Sequence, residues 1–371
     1  MKKVLIICHT DLDRDPRVQK QINFLKDDYE ITAAGMKDPN VEGVKFIKLP
    51  YLKFGTSERL FRAFLLLFRL YDAHYKYFTS YQESIKLLNR LNFDIILANE
   101  IESIQLALSL KNKDTMLILD MYEYYPAQLE YFWWWRLLFS DYYYKLIKND
   151  IRNFNIITTV SSGLQYLYEK EFGIRPELIT NAPFYEKLEP SPVDPDKIRL
   201  IYHGVINRAR KIENIINMMD YLDDRFELNF MILIRNDRKY FEELKELAKS
   251  KKNNRIIFHE ASPANKLVKN TNQFDIGIYY FEPTTRNLYY TIGNKFFEYI
   301  QARLAVVSNP LYFTKEYKDI VVSKEHSPKS FAVSLNSLSS QDIIELKQRS
   351  HEYALDLSAE MNRKKMLNIV K

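Results

Sequence analysis

Short apolar runs recur along the chain, and each is followed by a stretch in which apolar residues return every three or four positions. In the first half the runs predict strands at 3–8, 30–34, 44–48, 94–98, 115–119 and 155–160. Helical spacing fills the intervals at about 15–27, 57–91, 100–110, 130–150 and 161–171. Runs of this length alternating with helices are the pattern of βαβ units in a mostly parallel sheet. PFYEKLEPSPVDPDK (183–197) then breaks the pattern with four prolines and reads as a linker. The alternation restarts with IRLIYHG (198–204), a helix from about 211, and strands at 228–234, 255–258, 275–280 and 304–308. A charged tail, about 340–368, has helical spacing and neither Gly nor Pro. The expected fold is α/β, with two doubly wound Rossmann-like domains, 1–182 and 198–340, facing across a cleft. Residues 341–371 are expected to form a C-terminal helix packing back across the domain junction. In open sheets of this kind ligands bind beyond the carboxyl ends of the strands, so the cleft is the expected site.

Composition narrows the classes. With 371 residues, 46% hydrophobic and 27% charged, the chain has the makeup of a globular protein of two domains. A net charge of +6 and the absence of zinc-finger spacing argue against nucleic acid as a partner. Cys8 is the only cysteine, which excludes an internal disulfide and suits a reducing cytoplasm. The opening MKKVLIICHTD has the look of a secretion signal, but its apolar run stops at His9 and Asp11 and is better read as a first strand. No segment approaches the ~18 apolar residues of a spanning helix; FLLLF (64–68) is bracketed by Arg62 and Arg69.

Glycine is scarce, with 8 residues in the chain. Neither G-x-G-x-x-G nor a Walker A loop occurs, which disfavours a dinucleotide-dependent dehydrogenase or a P-loop kinase. Phosphate can also be held by the N–H groups at a helix start aided by cationic side chains, and two places offer this. HGVINRARK sets Gly204 at a strand end before Arg208, Arg210 and Lys211. YTIGNKFFEYIQ sets Gly293, Asn294 and Lys295 at a second helix start, with Asn294 expected as its cap and Glu298 one turn in, able to accept both hydroxyls of a sugar diol. Taken singly, Lys295 and Glu298 read as a surface pair and the basic run as a solvated helix start. Their joint placement at strand–helix junctions of one domain favours a ligand.

GNKFFEYIQARLAVVSNP (293–310) resembles the donor-site segment of GT-B glycosyltransferases, in particular the large retaining group with an NK-x-x-EY motif. Further segments match that group in order: DRDPRVQKQINFL (13–25), DIILANE (94–100), LDMYEYYP (119–126), TTVSSGLQYLY (158–168), ITNAP (179–183) and YHGVINRARKIENII (202–216). The resemblance implies transfer of a sugar from a nucleotide-sugar, UDP- or GDP-linked, to a saccharide or lipid-linked saccharide acceptor in surface or capsular polysaccharide assembly. No metal and no separate cofactor are implied. Glu298 would bind the donor ribose; Arg210, with Arg208 or Lys211, would neutralise the leaving diphosphate; 259–263 and 280–283 would frame the base. Gly204, Tyr290, Gly293, Asn294 and Lys295 complete the implied donor site, and Asp11, Arg14 and Tyr122 the acceptor side. Nucleotide-sugar 2-epimerases share the architecture, and a non-catalytic scaffold of this fold is the other alternative.

The chain departs from the group's pattern in several places. A second glutamate is replaced by Tyr290, a histidine by Tyr122, glycine and proline by Arg303 and Ala305, and a glycine pair by Thr10 and Asp11. Asp11-Leu-Asp13 matches a metal-binding D-x-D, but in the wrong architecture. Glu123 and Glu100 follow strands of the first domain and are the candidate bases or orienting acceptors for the acceptor hydroxyl; each reads equally as a carboxylate at a helix start. His9 and His203 end the first strand of each domain.

In 57–91, Phe61, Phe64, Phe68, Tyr71, Tyr75 and Phe78 share one helical face, expected to be a packed interface, with Arg62, Arg69 and Lys76 beside it. Residues 51–91 hold 7 Lys/Arg against 3 Asp/Glu, a local +4. YFWWWRLLFSDYYYK (131–145) repeats the aromatic-basic theme, so peripheral contact of this domain with an anionic membrane, at its cytoplasmic face, is expected.

Overall fold

In the computed structural model the run Val4–Cys8 loses all contact with solvent and becomes the middle of a parallel sheet. The structure describes residues 1–371 apart from 51–54, 79–80, 236, 252–253, 281 and 318. The chain divides into two units, one of residues 1–180, 285–291 and 362–371, the other of 181–284 and 292–361.

The first unit contains β1 (Lys3–Ile7), β2 (Glu30–Gly35), β3 (Lys45–Lys48), β4 (Ile95–Asn99), β5 (Met116–Asp120), β6 (Ile156–Thr159) and β7 (Glu177–Leu178), in the order β3-β2-β1-β4-β5-β6-β7. Every pairing is parallel. Both faces of β1, β4 and β5 are covered, which is why these strands are nearly continuous apolar runs rather than alternating ones. The second unit contains β8 (Ile198–Val205), β9 (Phe226–Leu233), β10 (Ile256–His259), β11 (Ile276–Tyr279), β12 (Ala305–Ser308) and β13 (Val321–Val322), ordered β10-β9-β8-β11-β12-β13 and again all parallel. In each sheet the strand order reverses at the first strand, so the loops after β1 and β4, and after β8 and β11, flank a switch point.

The expected strands all form, within two residues at their ends, and two-residue edge strands at Glu177–Leu178 and Val321–Val322 are added. The 57–91 stretch is three helices, not one: Thr56–Leu67, Tyr71–Phe78 and Tyr81–Leu88. The first ends when Arg69 turns left-handed (φ 58°), its N–H reaching Leu66 O and that of Leu70 reaching Leu65 O. This is the Schellman closure, with arginine where glycine is usual. The expected single face is therefore split: Phe61, Phe64 and Phe68 are exposed, whereas Tyr75 is buried and its hydroxyl donates to Glu102 O (2.7 Å). The Phe78 side chain lies outside the described residues. The tail forms two helices, Ser340–Tyr353 and Ala359–Ile369, parted where the Gln301 amide donates to Ala354 O and Leu357 O.

One buried network organises the first unit. Asp15 caps the helix Pro16–Leu25, accepting from the N–H groups of Arg17 and Val18, and Pro16 begins the helix without needing a donor. Arg17 then grips Asp120 at the end of β5 through two hydrogen bonds (2.7 and 2.8 Å) and donates to Ile179 O and Thr180 O. Gln21 and Thr158 also donate to Asp120. The D-P-R-V segment thus has an architectural job, as removing one partner of a buried pair of this kind costs about 3–5 kcal/mol.

Candidate functional site

In the second unit, β8 ends in His203 and Gly204, and Gly204 has φ 130°, a conformation L-residues rarely adopt. A Cβ placed there would stand 3.5 Å from Arg210 Nη1 and 3.8 Å from Lys295 Nζ, so both cations converge on this strand end. Lys295 arrives from the helix Asn294–Gln301 and sits over the Tyr202 ring at 3.3 Å. Burial first, then the neighbouring Arg210, pushes its ammonium well below the usual lysine range, while Glu298 acts in the opposite sense. His203 is buried, and its Nδ1 lies 3.7 Å from Glu298 Oε2. Burial, Lys295 and Arg210 hold His203 neutral, and its buried Nε2 has no hydrogen-bond partner among the described residues. Glu298 keeps 23% of its side chain exposed.

The helix start differs from expectation by one residue. Gly293 is the cap and offers no side chain, and Asn294 is the first helical residue, its Oδ1 accepting from Asn181 (2.7 Å). The Gly293 N–H donates to the Tyr279 hydroxyl (2.6 Å), which fixes where the helix begins. Gly277 in β11 allows the Tyr299 ring to lie against the strand, since a Cβ there would come within 2.4 Å of it. Tyr299 then donates to the carbonyls of Ile201 and Ile278. The glutamate and tyrosine of the segment therefore divide their work: Tyr299 docks the helix on the sheet, and Glu298 beside it faces the open strand ends.

The other predicted donor residues are placed differently. Arg208 is exposed and committed to Asp237 (2.9 Å) and Glu243 (2.8 Å), with its guanidinium over Tyr240, so it does not join the pair at Gly204. Lys211 is an exposed left-handed residue (φ 50°) that precedes the helix Ile212–Asn217. Tyr290 belongs to the first unit, where its carbonyl accepts from Ser161 (2.9 Å) and its ring stacks on Tyr166.

In the first unit the loops after β1, β4 and β5 gather acidic groups. Glu100 takes a strained backbone conformation (φ 65°) just past β4. Burial, then Glu102, raises its carboxyl well above the usual range, opposed by a hydrogen bond from Tyr122. Glu123 is raised to about 7, chiefly by burial, and accepts from Asn287 Nδ2 (3.4 Å). The Tyr122 hydroxyl is in turn raised by burial and by Glu100. A carboxyl near neutrality in a half-buried setting is suited to proton transfer. Asp11 and Arg14 are exposed on the loop after β1; Arg14 lies 4.0 Å from Asp13, which pairs with Lys37 (2.6 Å). His9 is lowered to about 4 by burial and bonds Ser103 (3.3 Å).

Sequence reasoning missed Asn287, Glu102 and Asp15. Asn287 accepts from the Tyr124 N–H (2.7 Å) and holds Glu123, but it comes from an excursion of seven residues, 285–291, more than a hundred positions away. Glu102 accepts from the Tyr143 hydroxyl (3.1 Å), and Asp15 from Thr10 (2.9 Å). Asp15 lies within the matched segment 13–25 without being singled out there, and no local pattern marked the other two.

No family model and no curated protein sequence matches the chain. Solved structures do. Sucrose-phosphate synthase from Thermosynechococcus elongatus is similar over 100% of this chain and 98% of its own, with TM-score 0.71 and 12% identity. A glycosyltransferase from Rickettsia africae gives TM-score 0.70 at 12% identity, covering 100% and 98%. Anabaena HepE, solved in complex with UDP and glucose, gives TM-score 0.68 at 11% identity, covering 100% and 99%. Likenesses over whole chains at such low identity speak to architecture, and with two all-parallel sheets they show that this chain has the GT-B fold.

Proposed function

We propose that the protein is a glycosyltransferase that moves a sugar from a UDP- or GDP-sugar to a saccharide or lipid-linked saccharide acceptor in surface polysaccharide assembly. The observation that carries this reading is the convergence of Arg210 and Lys295 on Gly204, beside an uncapped helix start and one turn from Glu298. Two cations held together in a partly buried pocket repel one another, and an anion with two charges relieves that cost. A nucleoside diphosphate supplies such an anion. Its phosphates would meet Arg210, Lys295 and the first N–H groups of Asn294–Gln301, and its ribose diol would meet Glu298.

The same arrangement serves the chemistry. As the glycosidic bond to the diphosphate lengthens, positive charge builds on the sugar ring and negative charge on the leaving group. Fixed cations at the departing phosphate stabilise the second without needing to reorganise. On the first unit, Glu123 or Glu100 orients or deprotonates the acceptor hydroxyl; Glu123, raised to about 7, sits near the pH at which a base exchanges protons readily.

The reading supports a direct test. Calorimetric titration with UDP, GDP, ADP and CMP is expected to give selective binding by one of them, lost in Glu298→Ala and weakened on the order of a hundredfold in Arg210→Ala. Binding by none refutes the donor site. Formation of a 2-epimer without acceptor, rather than transfer, would assign the same site to an epimerase.

A further inference from the structure

The helix Thr56–Leu67 is built the wrong way round for a surface helix. Leu65 and Leu66 face inward, and Arg62 on the same side donates to His74 Nε2 (3.0 Å) and lies over Phe139 (4.8 Å). Leu60, Phe61, Phe64, Leu67 and Phe68 recur at helical spacing on the other side and are exposed, Leu60 by 68% and Phe68 by 61%. A solvent-facing side would ordinarily carry the polar residues.

The segment 131–140 carries a second exposed aromatic set. It packs against the same helix through Phe139, and Tyr131, Phe132, Trp133, Trp134 and Leu137 are exposed, Trp133 by 67%. Its inner residues, Trp135 and Phe139, stack together at 4.8 Å and anchor the segment. Exposed arginines border both segments: Arg59, Arg69 and Arg136. Of these, Arg69 lies 3.7 Å from Asp141 and still keeps 68% of its side chain exposed. No helix among the described residues is long and apolar enough to cross a membrane.

We propose that this face of the first unit docks on an anionic lipid bilayer, with Phe64, Leu67, Phe68, Trp133 and Trp134 entering the headgroup–acyl boundary and Arg59, Arg69 and Arg136 meeting lipid phosphates. Charge complementarity selects this occupant. A protein partner with an apolar patch would not require a cationic border, whereas aromatic side chains beside arginines are the composition that an anionic interface retains. Contiguous exposed apolar surface otherwise favours aggregation. The inference stands on this surface alone and does not depend on the nucleotide-sugar reading.

The chain offers its own probe, because all three tryptophans are Trp133, Trp134 and Trp135. Emission from the full-length protein is expected to shift to the blue with vesicles of phosphatidylcholine and phosphatidylglycerol, and to be quenched when the acyl chains are brominated. The triple variant Arg59→Glu, Arg69→Glu, Arg136→Glu is expected to partition at least about tenfold more weakly into these vesicles. Phe68→Ser with Trp133→Ser is expected to bind without deep quenching. All five positions are exposed, and unchanged circular dichroism checks that the variants fold. Absence of both flotation and emission change with anionic vesicles overturns the proposal. So does equal binding to phosphatidylcholine alone that ignores charge reversal. A dimer in sedimentation that excludes vesicles and is dispersed by Leu67→Glu would instead assign the face to self-association.

Discussion

Lys295 illustrates how much one side chain's surroundings decide. On the sequence it is a lysine at a helix start; in the fold it sits on the Tyr202 ring with Arg210 nearby, and its ammonium is held well below the ordinary range by burial and by that arginine. A bound diphosphate would reverse the second influence and raise its pKa. Nucleotide binding should therefore take up a proton wherever free Lys295 is partly neutral. Affinity is expected to be greatest below the depressed pKa of Lys295 and to fall as pH rises through it. Calorimetry in buffers of different ionisation enthalpy measures the uptake directly. Lys295→Met should bind more weakly and lose the uptake; an uptake that survives in Lys295→Met would exclude this lysine as its source. Arg208 gives the opposite lesson, since Asp237 and Glu243 already neutralise it.

The element that matters most for the donor site is the helix Asn294–Gln301, whose start is set by a side chain on another element and whose stop is set by a local closure. Tyr279 fixes the start through the Gly293 N–H, and Arg303 fixes the stop. Arg303 is left-handed (φ 62°) and completes a Schellman closure, its N–H bonding Ile300 O and that of Leu304 bonding Tyr299 O. That geometry explains why glycine suits this position in the group the segment resembles. Here the fully buried guanidinium compensates by donating to Glu186 O (2.6 Å), Leu188 O (3.2 Å) and Gln301 O (2.6 Å), which ties the proline-rich segment down. Arg303→Gly should relieve about 1 kcal/mol of backbone strain but leave those carbonyls unpaired, for a net loss of about 2 kcal/mol. A lower urea midpoint at unchanged slope would show this; a higher midpoint would mean the carbonyls find water freely.

At the scale of the whole molecule each unit has its own core, around Leu5, Ile96 and Leu119 in the first and Leu200, Phe230 and Ile278 in the second. The proposed donor residues Gly204, Arg210, Gly293, Lys295 and Glu298 all belong to the second. Saturating nucleotide at ~100 times Kd stabilises the unit that binds it by about 2.7 kcal/mol. Slowed amide exchange is accordingly expected in β8, β11 and Asn294–Gln301, with β1, β4 and β5 little changed. Protection confined to β1, β4 and β5 would put the nucleotide on the other sheet.

Much of this was legible because it is local. Period and run length marked the parallel strands, and glycine scarcity drew attention to Gly204 and Gly293. Clustered charge marked Arg210, Lys295 and Glu298, because short-range sterics and burial of strands on both faces leave direct traces in neighbouring residues. Tertiary structure alone decided which charges meet. It diverted Arg208 to two carboxylates, brought Asn287 to Glu123, and turned Asp15 and Arg17 into the cap and clamp of a buried network. It also split the 57–91 stretch at Arg69 and left its aromatic face outward. Periodicity tells which residues share a side of a helix; only the packing of distant elements determines whether that side is buried, because the same apolar face satisfies a core, a partner or a membrane.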